Sequence, residues 1–215
     1  MTSPTMATSV PRRSPWETGR VSDSTPHYLT RMVTDGTNRA AWLQARSRGI
    51  TATDVAKLST PRSIETAANE KLHGSRFSGN VYTDHGKARE PEIASWVLRE
   101  YGIAPSQALY HAAADLRHLA TPDGLVLRDT GSIELAEIKT TNKEWRTIPR
   151  HYLRQVWWQQ YVLGAERTLM VWERHENFVP VGDPECRWID RDENEIARLV
   201  SLAGDLINTL IARTS

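Results

Sequence analysis

A single cysteine, Cys186, stands among 215 residues. That excludes an intramolecular disulfide and a four-cysteine iron–sulfur cluster. No apolar run approaches the roughly 20 residues that cross a bilayer as a helix. The first residues also lack an apolar stretch of the secretory kind. Excess charge is lacking too: 27 Lys and Arg face 26 Asp and Glu, a formal net charge of +1. So balanced a chain is no general polycation, and any surface for a polyanion must be a local patch. A cytoplasmic protein without membrane association is the expectation, and a chain of this length can bury one α/β domain.

Residues 1–26 are rich in Ser, Thr, Pro and Arg, with few large apolar residues. They are expected to form a mobile N-terminal arm, leaving 27–215 as a single domain. The spacing of Ala41, Trp42 and Ala45 predicts a helix over 37–48, and shorter helices follow over 51–58 and 64–72. A helix from about 91 to 101 would align Ile93, Ala94, Val97, Leu98 and Tyr101, with Pro91 at its first position and Glu90 at its edge. Strands over 108–111, 116–121, 125–127 and 133–140 read as one antiparallel meander. Beyond a helix starting near Tyr152, strands over 168–173 and 178–181 lead to a last helix with Ile196, Leu199, Ala203, Leu206 and Ile207 inward.

The chemistry concentrates in the meander. Pro122-Asp123-Gly124 is a turn signal between two apolar runs, and Arg128-Asp129-Thr130-Gly131 turns the chain into Ile133 to Thr140. Alternation places Glu137 and Lys139 on one face with Ile133 and Leu135, and Glu134, Ala136 and Ile138 on the other. An edge-strand ion pair would use Glu137 and Lys139 alone. A divalent cation would use more: Asp123, Glu137 and the backbone carbonyl of Ile138 offer hard oxygen ligands suited to Mg2+ or Mn2+. Such an ion activates water and neutralises charge growing on a phosphate, with Lys139 beside it.

Pro122-Asp123, followed fourteen residues on by Glu137-Ile138-Lys139, resembles the PD-(D/E)XK nuclease motif. His85-Gly86-Lys87-Ala88-Arg89-Glu90-Pro91 resembles the HG-x-x-x-E-P block of the YqaJ and lambda exonuclease group within that superfamily. The resemblance implies Glu90 as a third metal carboxylate; stabilisation by the helix dipole at an N-terminus is the alternative. Arg46 to Thr53 is similar to the group's R-x-x-x-I-T-A-S stretch, with Thr53 where the group has Ser. It implies that Arg46 and Thr53 seat a DNA-end phosphate, with N–H groups near Thr51 or Thr53 assisting; Thr51 as a plain helix cap is the alternative. Tyr152 to Tyr161 resembles the group's Gln-bearing helix, which implies Gln155 as support for the site, while Trp157 and Trp158 read as packing residues. Lys143, Arg146, Arg150 and Arg154 recur every three or four residues around Pro149. They form either a basic loop against the duplex backbone or an ordinary solvated face.

The resemblance implies an α/β restriction-endonuclease-like core, a central mixed β-sheet flanked by helices. It further implies Mg2+-dependent hydrolysis from double-stranded DNA ends, in the 5′-to-3′ direction, leaving single strands for a phage-type single-strand annealing recombinase. The same site would serve an endonuclease or single-strand nuclease, and its residues could survive in a non-catalytic DNA-end-binding protein. A homo-oligomer follows from the group, but no segment matches its ring-forming contacts, so a trimer does not.

Overall fold

Short apolar strands separated by Gly, Pro and Asp turns, between capped helices, give a mixed α/β fold. The structure, a computed structural model, describes residues 27–74 and 79–214, and the arm expected over 1–26 lies outside them. In chain order the elements are β1 (Met32–Thr34), α1 (Arg39–Ser47), β2 (Ile50–Thr51), α2 (Ala52–Lys57), α3 (Pro61–His73) and α4 (Val81–Tyr101). There follow β3 (Ala104–Pro105), β4 (Leu109–His111), β5 (His118–Ala120), β6 (Gly124–Leu127) and β7 (Ile133–Thr141). The chain ends with α5 (Arg150–Leu163), β8 (Arg167–Glu176), β9 (Val179–Pro180), β10 (Glu185–Asp190) and α6 (Glu193–Thr214).

Local chemistry accounts for most boundaries. Thr51 and Asp54 form a capping box at the start of α2, and Thr60 with Ser63 does the same for α3, which has Pro61 in its first turn. Helix α5 starts directly after Pro149 and stops at Gly164, whose φ of 72° suits a residue without a side chain. The buried Arg31 guanidinium bonds the carbonyls of Val162 and Leu163 at that end.

Helix α4 departs from expectation. It begins ten residues before Pro91, where the Asn80 side chain accepts the Thr83 N–H at 3.0 Å. Pro91 therefore lies inside the helix, where its missing N–H leaves one turn unbonded. Leu98, assigned inward, is 46% exposed. Strand β10 was not anticipated, because its polar residues show no clean alternation.

The expected single meander is in fact two sheets among the described residues. One runs β1-β4-β5-β2, the other β10-β8-β7-β6-β3, with β9 hydrogen-bonded to β8. Strand β5 belongs to the first and β6 to the second. Pro122 lies between them and has no N–H with which to continue a ladder. Both sheets are mixed, since β2 pairs parallel to β5 and β7 parallel to β8. Helices cover both faces of β7. Ile133 and Leu135 pack with Trp157, Trp158 and the buried face of α6. Ala136 and Ile138 pack with Ile93, Ala94 and Val97 of α4. No helix among the described residues is long and apolar enough to cross a membrane.

Candidate active site

Asp123 sits one step beyond the last β6–β7 pair, Gly124 opposite Ala136. Its N–H bonds the Ala136 carbonyl at 3.1 Å, its carbonyl accepts the Ser106 N–H at 3.0 Å, and its Oδ2 accepts the Ile138 N–H at 2.7 Å. A strand residue turns its N–H and C=O to the same side. The Ile138 carbonyl is thus directed to the Asp123 side of β7, where β6 has already ended.

Glu137 lies on the opposite face of β7 from Ile138, 1% exposed, with both carboxylate oxygens engaged. The Lys139 ammonium pairs with Oε1, and Gln159 Nε2 donates to Oε2 at 2.6 Å. The helix residue on Glu137 is therefore Gln159; Gln155, one turn earlier, makes no such bond. Anchors on either side decide between them: Trp158 Nε1 bonds the Leu119 carbonyl at 3.0 Å, and Gln160 Nε2 bonds Thr168 Oγ1 at 3.1 Å. Replacing Gln159 by Ala would leave one Glu137 oxygen buried without a donor, and a 10- to 100-fold loss of turnover is expected, about the usual range for such supporting contacts. Gln155→Ala is expected to stay close to wild type; steady-state rates for the two proteins, side by side, check the distinction.

Glu90 reaches the same group from α4. It lies mid-helix, which removes the helix-dipole account of its position. Burial raises its carboxyl above the ordinary value, with Glu137 adding to the effect and Lys139 opposing it. One turn before it, Gly86 crosses β7 so closely that a Cβ there would stand 3.0 Å from Thr140 Oγ1. Residues four apart share a helix face, so the glycine lets α4 bring Glu90 down on the strand end.

Three carboxylates around one ammonium leave the group short of positive charge. Burial, Glu137 and Glu90 push the Asp123 carboxyl well above the carboxylate range, against Lys139 and the Ile138 N–H. Burial alone would depress Lys139, but Glu137 and Asp123 hold it above its ordinary value. A divalent cation among these oxygens would supply the missing charge, so the donor set fits Mg2+ or Mn2+. Among the described residues, no three Asp, Glu, His or Cys side chains already stand as a metal cage. Lys139 and Gln159 occupy the oxygens of Glu137 that a cation would need.

Arg46 is held at this group's edge. Burial lowers its guanidinium from the ordinary value, while the charges of Asp54 and Glu137 oppose that and Arg39 adds to it. It lies over the Trp42 ring at 4.3 Å, and no carboxylate among the described residues is within ion-pair distance. A desolvated, unpaired cation is suited to an anion. Thr51 spends its hydroxyl on Asp54, as a helix cap, whereas Thr53 is exposed. The predicted basic loop divides. Arg150 pairs with Glu195 while staying half exposed, and Arg154 Nη1 donates to the Ala56 carbonyl at 3.2 Å. Lys143 and Arg146 remain exposed without a carboxylate partner among the described residues.

A second polar chain was not read from the sequence. Glu173, 3% exposed, takes Arg89 through Nε and Nη2 at 2.9 Å each and lies 2.7 Å from His175 Nε2. His175 Nδ1 in turn meets His85 Nε2 at 2.8 Å. The two histidines stand 90 positions apart in the chain, which left no local signal of the pairing. His85 lines a cleft of about 720 Å3 together with Thr140, Tyr152 and Lys143.

A carboxylate–lysine centre at a strand end, covered by a Gln helix and an Arg-bearing helix, defines the class of site. Residues 41–166, more than half of the chain, match the YqaJ-like viral recombinase domain, and the chain belongs to that family. Its fold is shared with LHK-Exo, an alkaline exonuclease from Laribacter hongkongensis. The LHK-Exo complex with dAMP superposes with a TM-score of 0.64 at 22% identity, covering 81% of this chain and 93% of that one. A phage-related exonuclease from Haemophilus somnus gives 0.58 at 13% identity, covering 78% and 96%. No curated protein sequence matches the chain significantly.

Proposed function

We propose that this protein is a metal-dependent DNA exonuclease of the PD-(D/E)XK type. It would hydrolyse phosphodiesters from duplex ends in the 5′-to-3′ direction, leaving single strands for an annealing recombinase. The observation that carries this reading is the buried Glu137, held between Lys139 and Gln159 and set beside Asp123 and Glu90 in a chain of the YqaJ-like family. Asp123, Glu137, Glu90 and the Ile138 carbonyl would hold Mg2+, with Mn2+ as a substitute. When bound, the ion supplies Lewis-acid activation of water and neutralises charge on the phosphate.

The chain's own groups do the rest. Lys139 stays charged because Glu137 and Asp123 hold it so, and its ammonium would orient the attacking water or bond the phosphate oxygen that gains charge. Gln159 fixes the Glu137 carboxylate in one orientation. Arg46 would bind the terminal phosphate, with Thr53 beside it, and Lys143 and Arg146 would meet the backbone beyond. A homo-oligomer would keep the enzyme on its strand.

The test is digestion of a 5′-phosphorylated linear duplex with Mg2+, beside a 5′-hydroxyl duplex and a closed circle. The phosphorylated duplex is expected to disappear, the hydroxyl duplex to be cut more slowly, the circle to persist, and chelation to stop all cutting. Arg46→Ala should erase most of the preference for the phosphate. Cutting of the circle at a similar rate would sink the exonuclease assignment and leave the metal site standing.

A further inference from the structure

We propose that the cleft beside the catalytic group is a nucleobase subsite, where an unpaired base of the strand being hydrolysed stacks on Tyr82 and Phe178. This rests on the nuclease reading above. The cleft, about 720 Å3, adjoins the catalytic strand through Thr140 and Tyr152, the latter's ring lying 5.4 Å from the Lys139 ammonium. Its volume falls within the roughly 300–1,000 Å3 typical of small-ligand sites.

Two aromatic rings stand open in it. Tyr82 is 57% and Phe178 43% exposed, with centroids 5.1 Å apart and planes tilted by 35°. Single exposed apolar residues are unremarkable, but a paired aromatic surface in a polar cleft is the arrangement that takes a base. The backbone makes the Phe more telling. Asn177 and Phe178 form the β8–β9 turn with φ of 52° and 67°. Asn suits that left-handed region and Gly is usual after it, whereas a bulky side chain is strained there. Phe178 therefore presents its ring against the backbone's preference.

The platform is also held from behind. His85 meets the Phe178 ring at 5.2 Å with planes at 66°, and it is fixed by the chain His175–Glu173–Arg89. Charge suits a nucleotide: Lys143 lines the cleft exposed, while the lining carboxylate Glu176 is turned to Arg174 at 3.6 Å. The base must be unpaired. A base inside a duplex stack has no face free, so only a base that has left the stack can meet the two rings.

The full-length protein is tested on phosphorylated duplexes whose terminal nucleotide is either intact or abasic. Wild type is expected to favour the intact end in kcat/KM by about tenfold, in the range of one base–aromatic stack. Phe178→Gly should bring that ratio close to one while leaving the abasic rate unchanged, and Tyr82→Ala should do so in part. Glycine relieves the positive φ, so Phe178→Gly should melt no lower than wild type, which separates loss of the ring from misfolding. Equal rates for the two ends in wild type, or equal losses on both in Phe178→Gly, would overturn the subsite and leave the nuclease intact. The latter two results are what a protein-docking patch would give. If no duplex is cut, the nuclease reading fails. The subsite is then read from the fluorescence of a 2-aminopurine oligonucleotide, quenched by wild type and not by Phe178→Gly if the proposal holds, and unquenched by both if it is wrong.

Discussion

Asp123→Asn protein is expected to lose duplex digestion by about a thousandfold, the equivalent of several kcal/mol of transition-state stabilisation, and yet to melt higher than wild type in chelator. The two effects share one cause. Asp123 is crowded by burial and by the charges of Glu137 and Glu90, so its carboxyl lies well above the ordinary range in the folded state. A carboxyl whose folded value exceeds its unfolded one binds protons more tightly when folded, so stability falls as pH rises between the two. The penalty is absent below the unfolded value of about 3.9. It grows as pH rises toward the folded value and is complete above it. Lys139 is raised as well, but its contribution is lost only above its unfolded value of about 10.4 and stays constant across the same window.

Asn keeps the shape and an oxygen for the Ile138 N–H while removing the charge. Its melting point in chelator should exceed wild type by about 5 °C at neutral pH, taking about 2–4 °C per kcal/mol for a chain of this size. The gap should narrow as pH falls toward 4 and close when Mg2+ stabilises wild type. Thermal melts of both proteins across that range, with and without Mg2+, measure it. A mutant that melts at or below wild type at every pH would mean that Asp123 carries no electrostatic penalty.

Lys139→Ala should lose activity to a similar degree with the opposite effect on stability. Among the described residues the ammonium is the one cation paired with Glu137, whose side chain is 1% exposed. Removing one member of a buried pair leaves the other charge uncompensated and typically costs about 3–5 kcal/mol, or about 10 °C of melting temperature here. Mg2+ should restore more of that loss than it adds to wild type, because the ion can neutralise the carboxylate left behind. A melting curve for Lys139→Ala that coincides with wild type in chelator would show that Glu137 does not depend on its lysine. The two mutants are thus expected to lose activity alike but to shift in opposite directions on heating.

Local pattern alone placed Asp123, Glu137 and Lys139 in reach of one another. Turn residues and period-two alternation act over a few residues, and the β6–β7 register follows from them. Glu90 and Arg46 were legible only through resemblance, since nothing in their own spacing says which strand their helices meet. The start of α4 was missed because Asn80 is separated from the apolar stripe by a polar turn containing Gly86. Spacing left Arg150 and Arg154 as either a DNA-facing loop or a solvated face, and gave no sign that Arg150 pairs with Glu195 or that Arg154 bonds the Ala56 carbonyl, both far along the chain.

By itself, then, the sequence determined the hairpin that carries Asp123, Glu137 and Lys139, the helix caps and the charge balance, because these depend on neighbours within a turn or a pleat. The tertiary structure alone decided that Pro122 divides two sheets, that Gln159 rather than Gln155 meets Glu137, and that His85 joins His175 beneath Phe178. Those outcomes depend on which distant surfaces bury each other, and burial is a property of the packed chain rather than of any segment in it.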